Sequence, residues 1–193
     1  WFYDPEHYRR EEQAIWQRDW VCVGRAEDWP QSGDFQRLRI GGQQIVVTRA
    51  EDGALHAWHN TCRHRGSLLC EADSGRFEQG RVVCPYHAWV YALSGELLRA
   101  PRSTQGDGLR LEDFPLYRVA LASWRGFVFV NLAPEGPGLS EVLGEIPGET
   151  SQLNFERMRL YRKVDYEVAC NWKVYVDNYL EGYHIPLVHP GLF

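Results

Sequence analysis

The apolar residues near the start of the chain recur at helical spacing, with charged residues between them. These apolar positions are Tyr8, Ile15, Trp16 and Trp20. Asp4 and Pro5 fit the cap and first turn of a helix, because proline lacks the N–H that a first-turn residue leaves unpaired. The pattern predicts a helix over residues 5–19 that packs on the rest of the protein, followed by a short strand over 21–24.

From residue 35 the pattern changes to short apolar runs separated by glycine-containing turns. Leu38 and Ile40 alternate with arginines, and Gly41-Gly42 is typical of a two-residue hairpin turn. Further strands are predicted over residues 43–49, 54–59, 81–83, 89–92, 96–99, 116–122 and 126–132. Many short strands with glycine turns indicate a small antiparallel sandwich or barrel, which we place over residues 35–135.

A connector follows, since residues 136–150 are rich in proline, glycine and glutamate and predict only one short helix. Beyond it the pattern predicts a strand over residues 157–168 and then a helix. The chain therefore divides into a lead-in over residues 1–34, a β domain, the connector, and the start of a second domain over 151–193.

The final helix combines an apolar stripe with two carboxylates and a histidine. The stripe consists of Trp172, Tyr175, Val176, Tyr179, Leu180 and Tyr183. Asp177, Glu181 and His184 are spaced i, i+4 and i+7, and would share one helix face. Such groups beside an apolar stripe are costly unless they bind something. Pro186 interrupts the helix, and a kink there would turn His189 towards His184, so that both imidazoles could hold a divalent metal.

Charge and composition exclude several classes of protein. The net charge of −5 argues against non-specific nucleic-acid binding, which needs a basic face. No apolar run reaches about 18 residues, so no transmembrane helix is expected, and the charged start of the chain lacks the apolar region of a signal peptide. The five cysteines do not suggest a disulfide framework, and the cytoplasm is the expected compartment.

Two short Cys/His pairs are the strongest chemical signal in the chain. Cys62-x-His64 and Cys84-x-x-His87 can each present one thiolate and one imidazole from a tight loop. Pro85 favours a turn within the second pair. Two such loops facing each other would offer two sulfurs and two nitrogens, a donor set that suits zinc or an iron–sulfur cluster.

The residues around these pairs favour iron. The segments CRHRG at 62–66 and CPYHAW at 84–89 resemble the Rieske motif of ring-hydroxylating and related non-haem iron oxygenases. The resemblance implies a [2Fe–2S] cluster in which two histidines replace two cysteines on one iron. The implied ligands are Cys62 and Cys84 on one iron and His64 and His87 on the other. A zinc ribbon that uses the same four residues is the alternative, but it does not call for the flanking residues of the two segments.

The loops also differ from those of the high-potential Rieske proteins of respiratory complexes. Those proteins carry an extra cysteine in each loop, where this chain has Ser67 and Tyr86. Without the loop disulfide, and with fewer hydroxyl donors, the potential is expected near the low end of the Rieske range, roughly −150 mV.

A second segment resembles the start of the catalytic domain of Rieske oxygenases. It comprises Asn171-Trp172-Lys173, the run DNYLEGYH at 177–184, and His189. The resemblance implies that His184 and His189 are ligands of a mononuclear Fe(II). It assigns Glu181 as the carboxylate that bridges this iron to a cluster histidine of a neighbouring subunit, and we take Glu181 and Asp177 as candidate catalytic residues. The residue order is similar to the branch that acts on choline, glycine betaine and carnitine.

Together the two resemblances imply a mainly β fold, with an N-terminal helix and an antiparallel Rieske sandwich. The first strand and helix of an α+β, helix-grip-like catalytic domain would follow. The implied function is an oxygenase that uses O₂, and electrons from NAD(P)H passed on by a flavin/iron–sulfur reductase, to hydroxylate or N-demethylate a small substrate. The implied assembly is a homotrimer. The alternatives are an aromatic-ring dioxygenase, a Rieske ferredoxin-like electron carrier, and a zinc-stabilised binding module.

One departure from the family pattern limits this expectation. The facial triad of a mononuclear iron site needs a carboxylate as well as two histidines. In the family that carboxylate lies far downstream, whereas this sequence ends just after the second histidine. We therefore expect the 193-residue chain to be a piece of a longer polypeptide, or else to lack a complete site, and we expect no hydroxylation from it alone.

Overall fold

A computed structural model of the protein describes residues 1–101, 108–133 and 135–192. They separate into two units, a larger one over residues 12–158 and a smaller one formed by residues 1–11 and 159–193. The predicted lead-in is therefore shared between the two units, and the predicted connector lies inside the larger one.

Two antiparallel sheets make up most of the larger unit. Their strands are β1 (Val21–Arg25), β2 (Asp34–Ile40), β3 (Gln43–Arg49), β4 (Leu55–His59), β5 (Ser74–Arg76), β6 (Arg81–Val83), β7 (Val90–Ala92), β8 (Leu97–Arg99), β9 (Arg118–Trp124) and β10 (Phe127–Asn131). One sheet has seven strands in the order β1-β10-β9-β4-β3-β2-β5, and the other has three in the order β6-β7-β8. These strands confirm the predicted antiparallel β domain, to which the structure adds β5.

Alternation along the central strand explains how the large sheet buries both faces. On β3, Ile45 and Val47 point into one core while Val46 points into the other, and all three are fully buried. The core that Val46 enters, which we call the first core, lies between the two sheets and includes Trp58, Tyr91 and both cysteines of the Cys/His pairs. The fold therefore places those two cysteines in an apolar interior.

The predicted hairpin turn after β2 is confirmed. Gly41 and Gly42 have φ values of 52° and 75°, and the strands on either side pair from Ile40 to Gln43. Positive φ at both central residues is the geometry that matches the twist of the flanking strands, and glycine adopts it without steric cost.

Short helical segments complete both units. The α- and π-helical ones are α1 (Pro5–Glu11), a π-helical turn (Glu12–Trp16), α2 (Leu139–Leu143), α3 (Ile146–Glu149), α4 (Trp172–Leu180) and α5 (Ile185–Val188). Short 3-10 helices span Ala26–Asp28, Glu78–Gly80, Leu111–Asp113 and Phe155–Arg157. The predicted helix over 5–19 is present as α1 and the π-helical turn, and the short helix predicted within the connector corresponds to α2. Within the described parts of the chain, no helix has both the length and the apolar character needed to span a bilayer.

Two predictions about the second domain are wrong. The final helix ends at Leu180, because Glu181 takes an extended backbone with φ −100° and ψ 141°, so Asp177, Glu181 and His184 do not share a helix face. The predicted strand over 157–168 is absent: Arg157 ends a 3-10 helix, and residues 158–168 are irregular chain. A strand needs a hydrogen-bonded neighbour, and no strand of the described residues pairs with this segment.

Candidate metal centres

The two loops that carry the Cys/His pairs close in the same way. In each loop the cysteine N–H donates to the carbonyl five residues on, and the N–H four residues on donates back to the cysteine carbonyl. The bonds are 2.8 Å from Cys62 to Ser67, 3.0 Å from Gly66 to Cys62, 2.8 Å from Cys84 to Trp89 and 3.0 Å from Ala88 to Cys84. This shared closure gives the two cysteines equivalent backbone settings, although their histidines follow at different spacings.

In both loops, the residue whose N–H donates to the cysteine carbonyl has a left-handed backbone conformation. Gly66 has φ 73° and Ala88 has φ 57°. Glycine enters this region freely, whereas a residue with a Cβ does so at a cost of about 1–2 kcal/mol. The loop around Ala88 is therefore held against a local steric preference.

Replacing Ala88 with glycine is expected to stabilise the protein by about 1 kcal/mol, because the change removes the Cβ cost. For a chain of this length that corresponds to a rise of about 2–4 °C in Tm, measurable by thermal unfolding of the metal-loaded protein. Ala92→Gly is the matched control, because Ala92 lies in β7 with ordinary backbone and should lose about 0.5–1 kcal/mol. An equal or greater Tm gain from Ala92→Gly would contradict the assignment of strain to Ala88.

The four predicted ligand side chains form a sulfur pair and a nitrogen pair. Cys62 and Cys84 are each 2% exposed and lie in the same apolar core, and besides burial, Cys84 is one of the groups that raise the pKa of the Cys62 thiol. His64 is exposed and His87 half-buried, and their ring centroids are 4.6 Å apart at 68°. Among the described residues, no three His, Cys, Asp or Glu side chains converge on one point. The paired donors fit a cluster in which each of two irons takes two protein ligands.

A tyrosine hydroxyl lies against the sulfur of Cys62. The oxygen of Tyr91 is 3.3 Å from Cys62 Sγ, and it accepts the backbone N–H of Arg63 at 3.2 Å. Burial raises the pKa of both the Tyr91 hydroxyl and the Cys62 thiol. Tyr91 therefore stays protonated and can donate a hydrogen bond to a thiolate. The Cys62 thiol, in contrast, needs a bound cation in order to lose its proton and become a thiolate. The loop sequences predict few hydroxyl donors to the cluster, and Tyr91 is a donor that lies outside both loops.

Aromatic rings hold the two imidazoles from the sides. The indole of Trp89 stacks on His64 with centroids 4.8 Å apart and planes within 4°. The ring of Tyr86 packs on His87 at 3.9 Å. These contacts explain why the second loop carries Tyr86 and Trp89 on either side of its histidine.

The first loop depends on an asparagine that is not among the residues predicted for the site. Asn60 is fully buried at the end of β4. Its Oδ1 accepts the N–H groups of Leu69 and Cys70 at 3.0 Å each, and its Nδ2 donates to the Cys70 carbonyl at 2.7 Å. Asn60 thus joins the two ends of the loop that contains Cys62. The sequence offers one signal for this role, which is that Asn60 directly precedes the loop with the predicted ligands. A side-chain amide can hold such a loop because it both donates and accepts hydrogen bonds.

The smaller unit brings the second predicted pair of histidines together. The ring centroids of His184 and His189 are 5.3 Å apart, and the rings meet edge to face at 78°. The turn that allows this begins at Glu181 and continues into α5, where Pro186 is the second residue and His184 and His189 are the two caps. The long helix ends before the proline and not at it, but the predicted approach of the two imidazoles is present.

Glu181 orients the first of these histidines. Its carboxylate contacts Nδ1 of His184 and accepts the N–H of Tyr183 at 2.7 Å. The contact with His184 lowers the pKa of the Glu181 carboxyl. With Nδ1 engaged, Nε2 of His184 is the nitrogen available for a metal. Asp177 is exposed on α4, which ends before the Glu181 turn.

Two protein-family models match the chain, each over a different range of residues. The family described as the Rieske [2Fe-2S] domain matches residues 19–123, the part of the chain with both Cys/His loops. The family described as the ring hydroxylating alpha subunit (catalytic domain) matches residues 155–193, where His184 and His189 lie.

Several individual relatives are named as monooxygenases of glycine betaine, of choline or of quaternary ammonium compounds. The glycine betaine monooxygenase oxygenase subunit of Chromohalobacter salexigens is 33% identical over 189 residues, which cover 98% of this chain and 42% of that protein. The chloroplastic choline monooxygenase of Arabidopsis thaliana is 36% identical over 204 residues, which cover 100% of this chain and 48% of that protein. The crystal structure of the quaternary ammonium Rieske monooxygenase CntA with L-carnitine has a TM-score of 0.84 at 31% identity, covering 94% of this chain and 52% of that one. The chain thus spans about half the length of the relatives it matches.

Proposed function

Because the chain belongs to the Rieske [2Fe-2S] domain family, we propose that it is the cluster-bearing part, with the start of the catalytic domain, of a Rieske oxygenase. The observation that carries this proposal is the presence of two separate donor sets in one chain. One is the Cys/His loop pair of the larger unit, and the other is the pair of His184 and His189 in the smaller unit, with Glu181 on His184. A protein that only carries electrons needs the Cys/His loop pair and not the second donor set.

The residues of the larger unit would bind and orient the cluster. Cys62 and Cys84 would bind one iron in the apolar core, away from water, while His64 and His87 would bind the other at the surface. The hydroxyl of Tyr91 would donate a hydrogen bond to the sulfur of Cys62.

The smaller unit would supply the mononuclear site. His184 and His189 would bind Fe(II), and Glu181 would hold His184 in the tautomer that presents Nε2. When bound, the cluster supplies electrons one at a time and the mononuclear iron supplies open positions for O₂ beside a substrate. The third protein ligand would come from outside this chain.

The substrate class that the relatives favour is a quaternary amine such as choline, glycine betaine or carnitine. Hydroxylation of a carbon beside the nitrogen would end in N-demethylation or in an aldehyde. We also propose that a flavin/iron–sulfur reductase supplies the electrons from NAD(P)H, and that the whole protein is a homotrimer in which Glu181 faces a neighbour's cluster histidine.

The test is turnover by the polypeptide that carries the whole catalytic domain, loaded with iron and supplied with reductase, NADH and O₂. Substrate-dependent O₂ uptake and product formation with a quaternary amine, and not with naphthalene, is the expected result. Turnover of naphthalene alone would replace the proposal with an aromatic-ring dioxygenase. Reversible one-electron reduction without turnover of any substrate would favour an electron carrier, and zinc without acid-labile sulfide would overturn the cluster itself.

Replacing Tyr91 with phenylalanine is expected to lower the reduction potential of the cluster by roughly 60 mV. A donor to a ligand sulfur stabilises the more negative, reduced cluster. A net hydrogen-bond contribution of about 1–1.5 kcal/mol corresponds to roughly 60 mV for one electron. Redox titration followed by EPR measures the change. Tyr117→Phe is the control, because Tyr117 contacts Arg63 through its ring at 4.2 Å. An unchanged potential in Tyr91→Phe would show that its hydroxyl does not donate to the cluster.

A further inference from the structure

A buried carboxylate in the smaller unit belongs to neither of the two proposed metal centres. Glu11, the last residue of α1, is only 7% exposed. Its Oε1 is 2.5 Å from Nζ of Lys173 and 3.0 Å from Nε2 of His7, and its Oε2 accepts Nε1–H of Trp172 at 3.1 Å. The contact with Lys173 lowers the pKa of the Glu11 carboxyl, so the group is ionised at neutral pH.

Two of these partners are the first two residues of α4. Asn171 caps that helix by accepting the N–H of Lys173 at 3.1 Å, and its Nδ2 donates to the Phe2 carbonyl at 3.4 Å. The ammonium of Lys173 also lies 5.6 Å from the ring centroid of Phe2. Through Asn171, Trp172 and Lys173, the beginning of α4 thus contacts residues among the first eleven of the chain.

The other end of α4 leads directly into the proposed iron site. The helix is nine residues long and ends at Leu180, and Glu181 and His184 follow at once. A short helix transmits a shift of its first turn to its last turn almost rigidly, because its backbone hydrogen bonds link successive turns. The position of the His184 imidazole therefore depends on how firmly the first turn of α4 is held.

We propose that Glu11 is a positioning residue for the mononuclear iron site, acting through Lys173 and Trp172 on the first turn of α4. The inference rests on the proposed function, since it takes His184 and His189 as metal ligands. It extends that function by assigning a role in the iron site to a residue 173 positions earlier in the chain than His184.

The direct test measures metal affinity rather than turnover. Co(II) binding to the iron-depleted mononuclear site of the full-length protein is followed by visible absorption, in the wild type and in Glu11→Gln. We expect Kd for Co(II) to rise about tenfold, the lower end of the effect seen when support of a metal ligand is lost. The Rieske EPR signal should not change, because every contact of Glu11 described above lies within the smaller unit.

Two further variants separate positioning from general stability. If Glu11 acts through Lys173, the double variant Glu11→Gln/Lys173→Met should bind Co(II) no more weakly than the weaker of the two single variants. Lys173→Arg, which keeps the charge, should restore most of the affinity that Lys173→Met loses. Glu6→Gln is the matched control, because Glu6 is an exposed carboxylate on the same helix whose ion pairs are with Arg9 and Arg10 of that helix.

The outcomes distinguish this inference from the proposed function. If the wild type binds Co(II) and folded Glu11→Gln binds it within about twofold, or no more weakly than Glu6→Gln, the inference alone fails. If Glu11→Gln does not fold, Trp172→Phe decides in its place, since it removes one donor to Glu11 and keeps an aromatic ring. If the wild type binds no Co(II) at this site, the mononuclear centre and the inference both fall, while the Rieske EPR signal still reports on the cluster.

Discussion

Replacing Cys84 with serine is expected to yield a colourless protein with almost no acid-labile sulfide, against about two irons and two sulfides per cluster in the wild type. Serine keeps the size of the side chain but removes the thiolate that binds iron. Because Cys84 is 2% exposed in the first core, the variant also leaves an unpaired hydroxyl there, at a cost of about 1–3 kcal/mol. Iron and sulfide analysis on protein purified without oxygen measures the first effect, and thermal unfolding the second.

Cys70→Ser is the matched control for this experiment. Cys70 follows the loop that contains Cys62 and is half-buried, and burial raises the pKa of its thiol to about 11. It is not part of the sulfur pair, so its serine variant should keep the full iron and sulfide content. Loss of the cluster in Cys70→Ser but not in Cys84→Ser would overturn the ligand assignment.

Replacing His184 with alanine is expected to remove the mononuclear iron and to weaken metal binding at that site by at least about a hundredfold. Loss of a ligand should cost more than the 10–100-fold that follows loss of a supporting group. The cluster should remain, because its proposed ligands all lie in the larger unit. Metal analysis of the full-length protein should therefore show the irons of the cluster without the additional one, and turnover should be lost with it.

Two carboxylate variants refine this second prediction. Glu181→Gln should weaken the site by about tenfold, since the carboxylate orients His184. Asp177→Asn should leave metal binding nearly unchanged, because Asp177 is exposed on α4 and does not share the turn with Glu181. Equal losses in the two variants would favour the single helix face that the sequence predicted over the turn that the structure shows.

The sequence by itself was sufficient for features that depend on a few neighbouring residues. The strands follow from alternation of apolar and polar side chains, and the Gly41-Gly42 turn follows from the conformational freedom of glycine. The two Cys/His loops are equally local, because each pair of donors is within three positions along the chain. For this reason the antiparallel domain and the candidate ligands could be predicted from the order of the residues alone.

Only the tertiary structure decided which groups meet across long separations and how deeply they are buried. The contact of Tyr91 with Cys62 joins residues 29 positions apart, and that of Glu11 with Trp172 joins residues 161 apart. The strand predicted at 157–168 failed for a related reason, since a local preference cannot supply a pairing partner. Burial and desolvation are properties of the assembled core. For this reason only the structure identifies the hydrogen bond from Tyr91 to Cys62, the bonds of Asn60 to the first loop, and the contacts of Glu11 with the start of α4.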